Sequence, residues 1–337
     1  MTKVGILGLG RIGKIHLENL STRFPGVEVL AAMNPSEAGQ DYARKFRVPM
    51  VTSDADEVIN HPEIEAIFVC SPTDSHADYV IKAARAGKAI FCEKPVDLSV
   101  EKVIQTLQVV KNSNVPLMLA FNQRFDYNFL HIKEQLSKEK IGKLYTLHLI
   151  SRDPAPPPVD YIRKSGGLFL DMTIHDFDMA RYLIGGEVRE VFAKGYNLID
   201  PEIGEAGDID TGIIILNFEN NATAIIENSR KAVYGYDQRL EVFGSAGMIR
   251  VENPLKNTNI YYNEDGAHQA RLLDFFMDRY QLSYQREVEA FLHALQNNLP
   301  MPATGEDGLK AMLIAVAANR SLGENRPLRI EEVEKEV

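Results

Sequence analysis

Between residues 166 and 186 the chain reads GGLFLDMTIHDFDMARYLIGG, three aspartates and a histidine inside an otherwise apolar stretch. An imidazole can accept or release a proton near neutral pH, and a carboxylate one helical turn away can orient it and stabilise its charged form. Glycine pairs bracket the stretch, so the pattern predicts one helix starting near Leu168 and stopping near Ile184. At about 100° per residue, Asp171, His175, Asp178 and Tyr182 share an arc of roughly 60°, and Phe169, Met172, Phe177, Ala180 and Leu183 face the other way. By itself this fits a solvated polar face as well as a proton-transfer site. Asp176 fits neither. It points into the apolar arc near Ala180, where an unpaired carboxylate costs on the order of several kcal/mol, so a donor from across a domain interface is expected. His175 and Asp178 also have the spacing of a metal-ligand pair, but no further His or Cys ligand is evident and no metal is expected.

A second group of candidates lies in the first third. GLGRIG places Gly8, Gly10 and Gly13 in the G-x-G-x-x-G positions. The first glycine permits a tight turn, the second lets backbone approach a pyrophosphate, and the third lets helix and strand pack closely. The helix that follows offers N–H donors and a positive dipole end. Asn34 stands where an acid normally holds the adenosine ribose; it can still accept from a hydroxyl, but it no longer repels a 2′-phosphate. NAD is therefore expected, with NADP or dual use as the alternative. CSPTDSH (70–76) and CEKPVDLS (92–99) follow later strands, where ligands of open α/β sheets bind. Ser71, Thr73 and His76 offer donors there, although His76 reads equally as a helix-capping or solvated histidine. Lys94 ends a buried strand in the right place to meet a nicotinamide, and reads equally as a strand-end lysine reaching solvent.

The elements that must position these groups form two blocks. From Lys3 to Phe121, continuously apolar runs at 3–8, 27–33, 65–70, 88–92 and 115–121 alternate with helical spacing at 11–22, 36–46, 75–86 and 99–112. That is the pattern of a doubly wound parallel sheet covered on both faces. After Phe121 the pattern becomes strand-like at 144–150, 188–197, 210–218, 222–232 and 237–244, with ENNA as a hairpin turn, then helical at 272–297 and 306–321. An α+β domain with a mainly antiparallel open sheet is expected, with the division at residues 1–122 and 123–337. The Pro-rich DPAPPP (153–158) is too short for a flexible linker and predicts a stiff extended loop.

The 337 residues exceed one ordinary core, and the net charge of −10 argues against a nucleic-acid partner. No apolar run approaches the ~20 residues that span a bilayer, and the N-terminus lacks a secretory pattern. With Cys70 and Cys92 as the only cysteines, no disulfide framework exists and a reducing cytoplasm is expected.

GLGRIG, SPTDSH, CEKP, FNQRFD and DMTIHDFDMARY, in that order and spacing, resemble the Gfo/Idh/MocA family of NAD(P)-dependent oxidoreductases over essentially the whole chain. Residues 151–162, GGLFLDMTIHDFDMAR and residues 234–248 are most similar to its inositol 2-dehydrogenases. The resemblance implies a Rossmann domain followed by an open-sheet domain that forms a homotetramer. It assigns Lys94, Asp171 and His175 to the family's catalytic set. It assigns cofactor contacts to Gly8, Gly10, Arg11, Ile12, Gly13, Asn34, Ser71, Thr73, His76, Glu93 and Lys94. It brings Arg152 and Asp153 beside the site. Asp178 is placed to grip substrate hydroxyls, and Arg124, Asp153 and Tyr236 are weaker candidates for the same task. The implied reaction is oxidation of the C2 hydroxyl of myo-inositol with NAD. Another polyol or aldose dehydrogenase is the near alternative, and a catalytically silent NAD(P)-sensing regulator the distant one.

Overall fold

A computed structural model describes residues 1–336, and by its internal contacts the chain divides into two units. The first comprises Met1–Phe125 and Leu282–Lys310; the second comprises Asp126–Gln281 and the residues from Ala311 on.

The described residues of the first unit carry a six-stranded parallel sheet of β1 (Thr2–Leu7), β2 (Val27–Met33), β3 (Met50–Thr52), β4 (Ala66–Val69), β5 (Ala89–Glu93) and β6 (Leu117–Ala120), in the order β3-β2-β1-β4-β5-β6. This is the doubly wound order, with its reversal between β1 and β4. β3 went unseen in the sequence because it has only three residues. The four predicted helices occur at Arg11–Thr22, Glu37–Lys45, His76–Arg85 and Val100–Ser113. β4 and β6 are buried at every residue, as expected for strands covered on both faces. Residues 282–310 fell after the 122/123 division in the sequence, yet they pack with this unit. Phe291, on the helix Gln281–Asn297, meets the stacked rings of Phe68 and Phe91 edge-on at 5.5 and 5.6 Å. Further along, the Leu119 N–H donates to the Ala303 carbonyl (2.9 Å), so the β6 edge is paired and closed to other strands.

The described residues of the second unit carry a seven-stranded mixed sheet and a small hairpin. Its strands are β7 (Leu144–Arg152), β8 (Val188–Tyr196), β9 (Thr211–Phe218), β10 (Thr223–Ser229), β11 (Asp237–Gly244), β12 (Gly247–Val251), the hairpin β13 (Ile260–Asn263) with β14 (Gly266–Gln269), and β15 (Leu328–Arg329). The large sheet runs β12-β11-β7-β10-β9-β8-β15. Every neighbour is antiparallel except β7 with β10, which run parallel with Ser151 opposite Asn228 and Arg152 opposite Ser229. Burial alternates along β9: Gly212, Ile214, Leu216 and Phe218 face the core. The opposite face leaves Tyr145, Ile213, Phe243 and Met248 exposed. Among the described residues no helix is long and apolar enough to cross a membrane.

Candidate active site

The glycine turn of the first unit behaves as its spacing requires. Gly8 has φ +92°, a conformation L side chains rarely adopt, and a Cβ on Gly13 would lie 2.0 Å from the Gly8 carbonyl oxygen. A Cβ on Gly10 would meet nothing within 4 Å, so the space above it is open. Gly10 is also the N-cap of the helix Arg11–Thr22, whose first turn carries no acidic side chain, leaving its N–H groups and positive dipole end available to a pyrophosphate. Arg11 is exposed and Ile12 half-buried beside this open space.

Asn34 is turned inward. Its Oδ1 accepts from the Leu9 N–H (2.9 Å), and its Nδ2 donates to Ser36 Oγ (2.8 Å) and the Ser36 carbonyl (3.2 Å). Gly39 leaves room for it: a Cβ there would lie 2.1 Å from the Asn34 Nδ2. An aspartate could accept from Leu9 and from the Ser36 hydroxyl but could not donate to the Ser36 carbonyl, whereas the amide serves both. Asn34 therefore braces the glycine turn against the end of β2.

His76 is neither a cap nor solvated. It is buried, with Nδ1 2.8 Å from the Pro95 carbonyl and Nε2 2.7 Å from the Ser71 carbonyl, so it joins the two loops that follow β4 and β5. Ser71 Oγ accepts from Ser75 Oγ (2.7 Å) across the short turn Thr73–Ser75, where Thr73 is half-buried. Glu93, at the end of β5, accepts from His16 Nε2 at 2.9 Å, and Lys94 follows it, half-buried. Arg124 is buried and paired inside this unit, with Nη2 3.1 Å from Asp307 Oδ1 and Nη1 donating to the Pro302 carbonyl (2.9 Å). Burial alone would raise Asp307, but the Arg124 charge and the hydrogen bonds from Thr304 bring it down to about 2.

The second unit carries the quoted stretch, with one departure from the expected helix. Phe169–Thr173 is a π-helical turn, and the α-helix proper is Ile174–Ile184, ended by Gly185 at φ +72°. The wider turn alters the angle between Asp171 and His175 from the one that 100° per residue predicts; such π turns occur often at functional sites. The solvated-face reading does not hold: Asp171, His175 and Tyr182 are half-buried, and Asp178 is only 1% exposed. Asp171 Oδ1 accepts from the Tyr161 hydroxyl (2.8 Å), and Oδ2 lies 3.4 Å from Arg230 Nη1. Arg230 is fully buried and its Nη2 reaches Asp208 Oδ2 at 3.1 Å.

Tyr161 comes from the helix Val159–Ser165, which the Pro-rich loop delivers with Pro158 as N-cap. Neither Tyr161 nor Arg230 was singled out from the sequence. The signal for Arg230 was there: Ala224, Ile226, Asn228 and Arg230 share one face at period two, so two polar residues continue an apolar core face.

Asp176 does have donors, and they come from its own unit rather than from across an interface. Ser151 Oγ on β7 donates to it at 2.6 Å and Asn228 Nδ2 on β10 at 2.8 Å. Burial pushes its carboxyl up to about 6, with these two hydrogen bonds pulling the other way. Since the folded state holds this proton more tightly than the unfolded chain, the contribution favours folding at low pH and is lost as pH rises from the ordinary carboxylate range through about 6. Asp176→Asn is expected to remove that loss. In urea unfolding, its stability relative to the parent should rise by about 1–3 kcal/mol between pH 4.5 and pH 7. A difference that stays flat with pH contradicts the assignment.

The remaining candidates are engaged locally. Arg152 pairs with Glu227, donates to the Tyr234 hydroxyl (2.6 Å) and lies 3.2 Å from Asp237 Oδ2. Asp153 is half-buried, its N–H bonded to the Ser229 carbonyl (2.9 Å) and its own carbonyl to the Ala232 N–H (2.6 Å). Tyr236 is buried with its ring edge-on to Phe275 and Tyr280 at 6.0 and 6.2 Å. Among the described residues, the His/Cys/Asp/Glu group whose ligand atoms all lie within 4.8 Å of one another is His16, Glu93 and Glu287; it does not include His175 or Asp178.

Comparison with known proteins agrees with this architecture. Residues 2–121 match the model of an oxidoreductase family with an NAD-binding Rossmann fold, and residues 129–250 match the GFO/IDH/MocA C-terminal domain. The chain is 46% identical over 331 residues to the myo-inositol 2-dehydrogenase of Thermotoga maritima, covering 98% of this chain and 99% of that one. It is 44% identical over 328 residues to the inositol 2-dehydrogenase of Rhizobium meliloti, covering 97% and 99%. The solved scyllo-inositol dehydrogenase of Lactobacillus casei, with bound NAD(H) and scyllo-inositol, superposes with a TM-score of 0.92 at 34% identity, covering 98% and 99%. A glycine turn open above Gly10 at a helix N-terminus, a parallel sheet in the order 3-2-1-4-5-6 and these matches lead to one conclusion: the chain belongs to the GFO/IDH/MocA family and is an NAD-dependent oxidoreductase.

Proposed function

We propose that the protein oxidises the C2 hydroxyl of myo-inositol to 2-keto-myo-inositol and reduces NAD. The observation that carries this is near-complete coverage at 46% and 44% identity to a myo-inositol 2-dehydrogenase and an inositol 2-dehydrogenase. Oxidising a secondary alcohol removes a hydride from carbon and a proton from oxygen. Bound NAD supplies the hydride acceptor. His175 accepts the proton, and Lys94 donates to the alcohol oxygen and favours its alkoxide character. Asp171 orients the imidazole and stabilises its charged form, with Tyr161 and Arg230 fixing the carboxylate.

The turn Gly8, Gly10 and Gly13 with Arg11 and Ile12 receives the pyrophosphate. Asn34, Ser71, Thr73, His76 and Glu93 shape the rest of the dinucleotide site. Asp178 grips the polyol, with Asp153, Tyr236 and Arg124 in lesser roles. A neutral polyol, rather than a phosphorylated sugar, suits candidate arginines, Arg152 and Arg230, that are already paired with carboxylates. The exposed sheet face with Tyr145, Ile213, Phe243 and Met248 supports assembly with further copies, as a homotetramer. Two buried free cysteines suit a reducing cytoplasm.

The test is the initial rate of NADH formation with myo-inositol, scyllo-inositol, chiro-inositol and glucose. Myo-inositol is expected to be fastest. Turnover of another polyol with none of myo-inositol overturns the substrate, and NAD binding without turnover of any of them favours a sensor.

A further inference from the structure

At the end of β5 lies a group of polar side chains, of which only Glu93 is among the cofactor-site candidates. His16 is fully buried, with its ring edge-on to Phe91 (5.0 Å) and Tyr284 (5.9 Å) and its Nε2 2.9 Å from Glu93 Oε1 and 3.8 Å from Glu287 Oε1. Glu287 is also fully buried, and neither of its carboxyl oxygens has a hydrogen-bond partner among the described residues. A carboxylate in that position carries a fully buried charge with no hydrogen-bond donor among the described residues, which is costly; a neutral acid lowers that cost.

The three residues come from different places: the dinucleotide-turn helix Arg11–Thr22, the strand end that precedes Lys94, and the helix Gln281–Asn297. β5 ends at Glu93, so anchoring the Glu93 side chain fixes the strand end from which Lys94 continues.

We propose that His16, Glu93 and Glu287 form a positioning cluster: His16 donates its Nε2–H to Glu93, tying the pyrophosphate helix to the Lys94 strand end, and Glu287 closes the cluster as a neutral acid. Burial, and then the Glu93 charge, holds the Glu287 carboxyl well above the ordinary range. The other titratable groups around it are His16, Tyr284 and the Cys70 thiol, and burial pushes that thiol up as well. Part of this proposal, the aim of Lys94, rests on the function argued above; the cofactor affinity and the proton on Glu287 do not.

The experiment uses the full chain with NADH. Infrared spectra of the wild type at pH 8 are expected to contain a carboxylic-acid C=O band that Glu287→Gln lacks; a wild type without that band overturns the neutral acid. Glu287→Gln, which mimics the neutral acid, is expected to keep NADH affinity and kcat within about twofold. His16→Phe fills the aromatic site without the donor, and is expected to weaken NADH binding in a fluorescence titration, and to lower kcat, by roughly tenfold or more. His16→Gln restores a donor and recovers part of both. Unchanged NADH affinity in His16→Phe, or a Glu287→Gln as impaired as His16→Phe, overturns the cluster. So does a stoichiometric divalent metal in the purified wild type that Glu287→Gln loses, because the group is then a cation site. If the substrate assignment is wrong, turnover fails in every variant while the infrared band and the NADH titration still read the cluster.

Discussion

His175→Ala is expected to lower kcat by roughly 10²-fold or more with NADH binding retained, because the alcohol proton then has no acceptor near neutral pH. Lys94→Ala is expected to fall by a similar factor, since the developing alkoxide loses its charged donor. The comparison between the two is informative. Loss of the base should remove the pH dependence of kcat on its acid side, whereas loss of the lysine should lower the whole profile. The check is kcat across pH 6–9 for both variants alongside NADH titrations. Unchanged turnover in both removes the mechanism; a collapse of NADH affinity in His175→Ala shows a structural role instead.

The second large effect belongs to Arg230. Its guanidinium is fully buried between Asp171 at 3.4 Å and Asp208 at 3.1 Å, and Asp208 also accepts from the Leu168 N–H at 2.9 Å. Removing one member of a buried ion group leaves the others uncompensated, which costs about 3–5 kcal/mol. Arg230→Met keeps the length of the side chain and removes the charge. It is expected to shift urea unfolding by that amount and to lower kcat as well, because Asp171 loses a partner. A shift below about 1 kcal/mol contradicts the bracing role.

The glycine turn was legible because its requirement is local: Gly8 and Gly13 are dictated by a turn and by one close approach within the motif itself. Strands covered on both faces were legible for the same reason, as continuous apolar runs. Placement that depends on distant partners was not. The helices within residues 282–310 were legible from their spacing, but which sheet they cover is set by contacts such as the ring of Phe291 against Phe68 and Phe91. The donors of Asp176 were expected across a domain interface because Ser151 and Asn228 lie on two strands far from it in sequence. That Asn34 also bonds Leu9 and Ser36 was not legible, because neither partner shares a sequence signal with it. The π turn at Phe169–Thr173 was invisible to an argument that assumes a constant angle per residue. For the 282–310 segment and for Asp176 the deciding interaction is tertiary.

The single parallel pairing in the second sheet, β7 beside β10, has an evolutionary consequence. Both strands run out at the same rim, so the proline segment after Arg152 and the turn after Arg230 emerge side by side. Register is held a residue or two earlier, where Asn228 Nδ2 reaches both the Ser151 carbonyl (3.4 Å) and Asp176 (2.8 Å). Chain beyond that lock can change in length and composition while the ladder stays fixed, so variation there does not require remaking the scaffold.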